Sequence, residues 1–458
     1  MTKPATHYDA IIIGSGQGGN PLAAALAKRG ERTLLVESDQ LGGTCINTGC
    51  TPTKTMVASA QIAHYSRQAA RWGVHTGKVT VDLAVVLERK RKRVEASRSG
   101  WEKSVNGPGQ PEWKRGRARF IGHKRLQVED DELEAERIFL DTGSTPTIPS
   151  IPGLSEVPYL TNVTIMELAQ IPEHLIVLGG GYVGLEFAQM FRRFGSAVSV
   201  LQNGPQILPH EDAEIVSELQ KVLEAEGIRF HLNARTTKVE KRNSQIAVAI
   251  GSNVIEGSHL LAATGRTPQT RDLELSKTGV ETNEKGYIVV NDRLETTAPG
   301  IWAMGDVTGG PAFTHISYND FQIIFGNLYE GKNLSTKTRL VPYAVFTDPA
   351  LGRVGLTEKE ARAQGRKLKI GTMPMSRVQR ALERDETAGS MKLIVDAETD
   401  KILGAAILAS EGGELIQILS TLMLADKPYT LLKGAIYIHP TLAEGFFGLM
   451  ESVKDAPA

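Results

Sequence analysis

A chain of 458 residues, 41% hydrophobic and 23% charged, has the length for about three domains of ~150 residues and the composition of an ordinary globular protein. Its 52 basic and 52 acidic residues cancel, so neither nucleic acid nor an anionic membrane is favoured as an obligatory partner. No apolar run approaches ~18 residues, the N-terminus lacks a signal peptide's apolar region, and two cysteines do not make a secreted disulfide scaffold; a cytoplasmic protein is expected, with the cysteine pair catalytic.

Tyr8–Ile13 reads as a strand running into Gly14-Ser-Gly16-Gln-Gly-Gly19, then an Ala/Leu-rich helix over Asn20–Arg29 capped by Gly30, then a strand Thr33–Val36 ending at Glu37. Strand, glycine turn, helix, strand and acid in this order make a dinucleotide-binding unit. The glycines admit a pyrophosphate to the helix N-terminus, and the acid can accept from a ribose hydroxyl. Directly afterwards comes Leu41-Gly-Gly-Thr-Cys45-Ile-Asn-Thr-Gly-Cys50-Thr-Pro-Thr-Lys54, holding the only two cysteines. Thiols this close can form a short-loop disulfide. Lys54, four residues beyond Cys50, shares its helix face and favours a thiolate. No further cysteine is present to complete a thiolate zinc site, and no metal site is expected.

Residues 55–105 read as helical, with the charged run Glu88–Arg93 as a solvated face; His64 and His75 have no partner spacing and read as surface or packing residues. Residues 117–140 alternate like strands and lead through Asp141-Thr-Gly-Ser-Thr-Pro146 to a Pro-rich link at Ile148–Gly153, a domain boundary. The first pattern then recurs: strand His174–Leu178, turn Gly179-Gly-Gly181-Tyr182-Val183-Gly184, helix Leu185–Phe194, cap Gly195, strand Ala197–Leu201. Glu37 lies 23 residues after Gly14, and Gln202 lies 23 after Gly179. Two dinucleotide units follow, the second ending in an amide that neither favours NAD nor repels the 2′-phosphate of NADP; the missing acid tips the expectation slightly toward NADPH. Asp306, delivered by Ile301–Gly305, is either a turn residue or a ribose-binding carboxylate. Glu414–Leu424 carries Leu415, Ile418, Leu419 and Leu422 on a buried helix face. Near the end stands His439, with Glu444 placed to fix its tautomer, though a His followed by Glu five residues on is more often a structural pair.

The cysteine segment, both glycine turns, Thr142-Gly143, Gly265-Arg266, Gly305-Asp306, Val354–Glu358 and His439-Pro-Thr-x-x-Glu444 together resemble the class I flavoprotein (pyridine nucleotide-) disulfide oxidoreductases over nearly the whole chain. The resemblance implies an α/β fold with two Rossmann-like, three-layer dinucleotide-binding domains plus an α+β C-terminal dimerisation domain. Residues 1–150 would begin the FAD domain, 151–270 bind NAD(P), 271–338 complete the FAD site and 339–458 dimerise. Gly14, Gly16, Gly19 and Glu37 would hold the ADP half of FAD, with Gly43, Thr44, Ala118, Gly143 and Thr314 also toward FAD and Asp306 on the ribityl side. Gly179, Gly181, Tyr182, Val183, Gly184, Gln202 and Gly265 would serve NADPH or NADH, Tyr182 as a lid over the flavin's nicotinamide face. Lys54, also counted among the FAD residues, would pair with Glu186 beside the flavin. Electrons would pass from nicotinamide through flavin to a Cys45–Cys50 disulfide, with Cys50 toward the flavin and Cys45 exposed for exchange. His439 and Glu444 of a second subunit would carry the protons, so the active unit would be a homodimer.

The local wording, including Trp302-Ala-Met-Gly-Asp306, Phe313-Thr-His-Ile-Ser317 and Val341-Pro-Tyr-Ala-Val-Phe346, is most similar to the mercuric-reductase-like branch, which includes a reactive-chlorine-response copper(II) reductase. The extra cysteines that mercuric reductases use to hand over metal are not in this sequence, while the His–Glu pair they usually lack is. A disulfide or a soft metal ion such as Cu(II) or Hg(II) is therefore the expected acceptor. A dihydrolipoamide dehydrogenase or glutathione-reductase-like enzyme is the alternative within enzymes. A redox sensor or assembly component is the alternative outside them, and the positioned proton carrier argues for turnover instead.

Overall fold

The computed structural model describes residues 5–457; the first four residues and Ala458, at the ends of the 1–150 and 339–458 spans, lie outside the described residues. Two compact units are formed, each from three stretches of chain. One takes the residues up to Met56, Ala84–Thr147 and Gly265–Arg339; the other takes Val57–Leu83, Ile148–Thr264 and the residues from Leu340 onward.

The first unit is built on the strand Thr6–Ile13, which pairs in parallel with Thr33–Glu37 on one side and Asp131–Leu140 on the other. Glu112–Arg115 extends this sheet beyond Thr33–Glu37, and Ile301–Ala303 joins it beside Asp131–Leu140. Alternation along the central strand separates two cores. Ile11 and Ile13 pack with Leu34, Val36 and Ile138 on one face, whereas Ala10 and Ile12 pack with Leu22 and Leu26 of the helix Gly19–Lys28 and with Phe139 on the other. That helix ends where expected: Gly30 takes φ +89° and donates to Ala27 O at 2.9 Å. The alternating stretch 117–140 resolves into three antiparallel strands, Ala118–Gly122, Arg125–Val128 and Asp131–Leu140.

The expected helix over 55–105 is two helices, Cys50–Gln68 and Leu83–Glu102. Gly73 and Gly77, both left-handed, interrupt it, and Thr76 Oγ1 folds the link back onto Ser66 O at 2.8 Å. Nor is Glu88–Arg93 wholly solvated. Lys90 falls in line with Leu83, Val86 and Val94 at helical spacing and is only 3% exposed.

In the second unit the parallel sheet runs Ile228–His231, Ala197–Leu201, His174–Leu178, His259–Ala262, Tyr159–Leu160, the last a two-residue strand. Residues 340 onward form a six-stranded antiparallel sheet around Ala350–Gly355, Ile402–Ala409 and Ser390–Asp396. The helix Gly412–Leu424 buries Leu415, Ile416, Leu419 and Leu422, while Ile418 is 38% exposed. The buried stripe is centred between Leu415 and Ile416, so Ile418 falls on its far edge. No helix among the described residues is long and apolar enough to cross a membrane.

Candidate active site

The first glycine turn is a place where side chains cannot go. A Cβ on Gly14 (φ +104°) would lie 2.1 Å from Asp141 O, and one on Gly19 would lie 2.2 Å from Gly14 O. Glu37, at the end of its strand, accepts from Ser15 N at 2.9 Å, Ser15 Oγ at 2.7 Å and Asp39 N at 3.0 Å. Ser15 Oγ also accepts from Gly42 N at 3.0 Å, and a Cβ on Gly43 would stand 3.0 Å from Gly16 Cα. The start of the cysteine segment is thereby pressed onto the turn. Asp306 belongs to the same unit. Ser144 Oγ donates to its Oδ2, Arg266 Nε lies 3.3 Å from that oxygen, and Arg266 Nη2 donates to Ser144 O at 2.7 Å. The clamp of Asp306 by Arg266 and Ser144 had no signature beyond the short motifs containing them. Gly143 (φ +69°) and Gly265 (φ +129°) are in this unit, the latter accepting from Thr147 N at 2.9 Å. Ala118 is buried in its strand, and Thr314 opens the helix Thr314–Tyr329.

Cys45 lies in the short helix Gly43–Asn47 and Cys50 begins the helix Cys50–Gln68. Gly49 makes the junction possible, since a Cβ there would come 2.9 Å from Thr44 O. Asn47 Nδ2 ties the segment together by donating to Leu41 O and Gly43 O, both at 3.0 Å, and its Oδ1 accepts from Arg98 Nε at 3.1 Å. Arg89 Nη1 donates to Thr55 O at 2.6 Å. The basic helix thus braces the redox segment, a role hidden from periodicity. Both sulfurs are half-buried. A hydrogen bond with Cys50, and then burial, push the Cys45 thiol up, while the Lys54 charge pulls it down. With the Cys50 hydrogen bond and burial outweighing Lys54, Cys45 keeps its proton as a thiol.

In the second unit the geometry of the first turn recurs. Gly179 (φ +106°) would place a Cβ 2.4 Å from Ala263 O, and one on Gly184 would be 2.1 Å from Gly179 O. Gly180 N donates to Gln202 Oε1 at 3.0 Å, as Ser15 N does to Glu37. Gly181, Tyr182 and Val183 open the helix Tyr182–Phe194. On the expected assignment of Gln202 to the nicotinamide nucleotide, the amide, whose oxygen accepts from Gly180, would present its NH2, a donor, to the ribose. Gln202→Glu should therefore raise the KM for NADPH by at least about tenfold relative to NADH, a like-charge penalty of about 1.4 kcal/mol; parallel titrations with the two nucleotides check this.

Glu186, 4% exposed, accepts from Phe346 N at 3.0 Å; three residues on, Gln189 accepts from Asp348 N and donates to Asp348 O, both at 2.8 Å. Arg193 completes this helix face by pairing with Glu226 at 2.6 Å and Asp348 at 2.8 Å. His64 stands 3.9 Å from Glu226. A cavity of about 610 Å³ in this unit, walled by His64, Tyr65, Trp72, Arg193, Glu226 and Asp348 among others, is lined by none of the candidate site residues. Asp212, Glu214 and Glu358 converge as metal ligands would, but the Lys392 ammonium already sits among them.

His439 is two-thirds exposed, its Nδ1 3.0 Å from both Glu444 oxygens. The Glu444 hydrogen bond and charge raise the imidazole pKa above its ordinary value. Ile436 and Ile438, just before it in the chain, and Phe447, three residues beyond Glu444, are all strongly exposed.

A family model described as pyridine nucleotide-disulphide oxidoreductase matches residues 8–320, and the dimerisation domain of the same family matches residues 341–448. The chain belongs to this family of oxidoreductases. It is 38% identical over 455 residues to the probable pyridine nucleotide-disulfide oxidoreductase RclA of Escherichia coli, covering 98% of this chain and 99% of that one. It is 35% identical over 443 residues to a mercuric reductase of Lysinibacillus sphaericus, covering 96% and 81%. Among solved structures, the Cu(II) complex of the HOCl-induced flavoprotein disulfide reductase RclA superposes with a TM-score of 0.90 at 37% identity, covering 97% of this chain and 99% of that one. The protein is accordingly an NAD(P)H-dependent flavoprotein oxidoreductase with FAD as cofactor, and its fold is the expected pair of Rossmann-like domains with a C-terminal domain.

Proposed function

We propose that this oxidoreductase takes electrons from NADPH or NADH and delivers them through the Cys45–Cys50 pair to a disulfide or to a soft, thiol-binding metal ion such as Cu(II) or Hg(II). The observation that carries this reading is the thiol pair itself: two half-buried sulfurs, one holding its proton against the other, with Lys54 one turn along the helix. The names of the relatives support the metal arm, one being a mercuric reductase and one a Cu(II) complex.

FAD, when bound, carries an electron pair between nicotinamide and the thiols. The first turn fits its ADP half, because Gly14, Gly16 and Gly19 leave backbone where side chains would collide and Glu37 stands ready for a ribose. Asp306, clamped by Arg266 and Ser144, would take the ribityl side, and the turn Gly179–Gly184 with Gln202 and Gly265 the nicotinamide nucleotide, under Tyr182. Cys50 would face the flavin, supported by Lys54 and Glu186, and Cys45 would attack the substrate. Exchange with a disulfide re-forms the Cys45–Cys50 bond and releases two thiols; with Cu(II), two ions leave as Cu(I) and two protons are freed. Since Cys45 keeps its proton beside Cys50, attack needs a base. His439 of a second copy, oriented by Glu444, fills that role, and the apolar rim of Ile436, Ile438 and Phe447 supports a homodimer. The four-part division of the chain and a reducing, cytoplasmic setting belong to the same reading.

Titrating the flavin-loaded protein with NADPH and NADH, then measuring turnover with lipoamide, glutathione disulfide, Cu(II) and Hg(II), tests it. Oxidation of NAD(P)H that stays stoichiometric with every acceptor would leave a redox sensor. Glu444→Gln supplies an independent check: the carboxylate holds the His439 pKa up, so its loss should move the histidine limb of the kcat/KM pH profile to lower pH. An unmoved limb would remove His439 from the proton path.

A further inference from the structure

Asp141 follows the strand Asp131–Leu140, and its backbone N–H donates to Ile13 O at 2.8 Å. Its buried carboxyl is caged by three glycines. Oδ2 accepts from Gly19 N at 2.7 Å. A Cβ on Gly16 would stand 2.6 Å from that oxygen, and a Cβ on Gly305 2.9 Å from Oδ1, which also faces Ser317 Oγ at 3.4 Å. Gly16 and Gly19 belong to the first nucleotide turn; Gly305 immediately precedes Asp306. One side chain therefore touches both motifs that would grip the flavin nucleotide, and no motif assigns it a role.

We propose that Asp141 is a positioning residue of the FAD site, tying the turn Gly14–Gly19 to Gly305–Asp306 as a neutral carboxylic acid. The proposal rests on the assignment of the first turn to FAD. As an acid, Asp141 accepts from Gly19 through Oδ2 and from the Ser317 hydroxyl through Oδ1, the oxygen that carries its proton. The charged groups around it argue for that form. Asp306 follows Gly305 and is paired with Arg266; Asp320, from the helix Thr314–Tyr329, accepts from Gly305 N at 2.8 Å and is paired with Arg339; Glu37 is engaged by Ser15. Burial first, and then Asp306 and Asp320, push the Asp141 carboxyl up to about 8, against the pull of the Gly19 and Gly18 amides. A neutral group leaves the positive end of the helix Gly19–Lys28 to the pyrophosphate, whereas an ionised one would set a carboxylate beside the phosphates in a water-poor pocket.

Flavin release from the purified holoenzyme, followed by FAD fluorescence from about pH 6.5 to about pH 9.5, tests this in the wild type, Asp141→Asn, Asp141→Ala and Glu37→Ala. In the wild type, release should rise through about pH 8, by about tenfold for each unit by which bound pyrophosphate raises the acid's pKa. Asp141→Asn, of the same shape and unable to ionise, should hold flavin with a flat profile across that range. Asp141→Ala should release flavin at least about tenfold more readily at every pH. A wild-type pH rise retained in Asp141→Asn, or undiminished flavin affinity in Asp141→Ala, overturns the proposal. Glu37→Ala separates the two levels: if it loosens flavin while Asp141→Ala does not, only the role of Asp141 fails; if neither does, the assignment of the turn to FAD fails as well.

Discussion

Cys45→Ser is expected to lower turnover with disulfide or metal acceptors by at least about a thousand-fold, the scale of losing a nucleophile, while NADPH or NADH still bleaches the bound flavin at the wild-type rate. Serine has nearly the size of cysteine, so the Gly49 junction and the Asn47 tethers keep their geometry. It cannot form a disulfide, and its hydroxyl is far too weak an acid to yield an anion at neutral pH. Cys50 remains, but with its partner gone it cannot close the cycle. The converse variant, Cys50→Ser, leaves Cys45 without the neighbour whose hydrogen bond holds its thiol up. Its attack on an added disulfide should then depend less on His439 and persist at lower pH, ending in a stable mixed disulfide without turnover. Rapid mixing with nucleotide, steady-state rates with each acceptor, and the mass of the trapped adduct measure all of this. Full turnover by Cys45→Ser on the best acceptor would mean that electrons leave the protein elsewhere.

What the amino-acid order made legible is what is local. Gly14, Gly19, Gly179 and Gly184 announce themselves because each must lie against backbone where a Cβ would collide, and their spacing is fixed by one turn and one helix. The cysteine pair and Lys54 are legible for the same reason. The break at Gly73 and Gly77 could have been read from the glycines themselves, and Lys90 from its register with Leu83 and Val94. The long-range partners that hold these groups in place were not legible. Glu186 meets the Phe346 amide 160 residues away, and Ser144 meets Asp306 across 162. Asp141 reaches Gly19 across 122. Such pairs are set by how strands and helices stack, and neither residue carries a period or spacing that names the other.

Lys392→Met should destabilise the fold by about 3 kcal/mol, in the range set by breaking buried ion pairs. Lys392 lies in the strand Ser390–Asp396 with its side chain 2% exposed. Its ammonium is 2.7 Å from Glu358 and 3.3 Å from Asp212, with Glu214 closing the third side. Beside it Arg353, 1% exposed, pairs with Asp212 at 2.5 Å and lies 3.7 Å from Glu211, which Tyr343 also engages. Without Lys392, the cations left beside three carboxylates within 4.8 Å of one another are, among the described residues, Arg353 and Arg362. Glu214, half exposed, can swing into water, which holds the cost to the lower end of the range. The sign of the pH dependence follows from the carboxylates. Burial alone would raise Asp212 and Glu358, but Arg353 and Lys392 at Asp212, and Lys392 and Arg362 at Glu358, prevail and hold both below the ordinary carboxylate range. Groups with depressed folded values contribute stability above about pH 4, their unfolded range, and lose it as the pH falls through the folded values. The gap between wild type and variant should therefore be widest near neutrality and close in acid. Urea unfolding at both pH values reads it, and Lys392→Met with Glu358→Gln should recover more than about 1 kcal/mol of the loss, the signature of a direct pair. Equal midpoints for wild type and Lys392→Met at neutral pH would show that the network adds nothing to the fold.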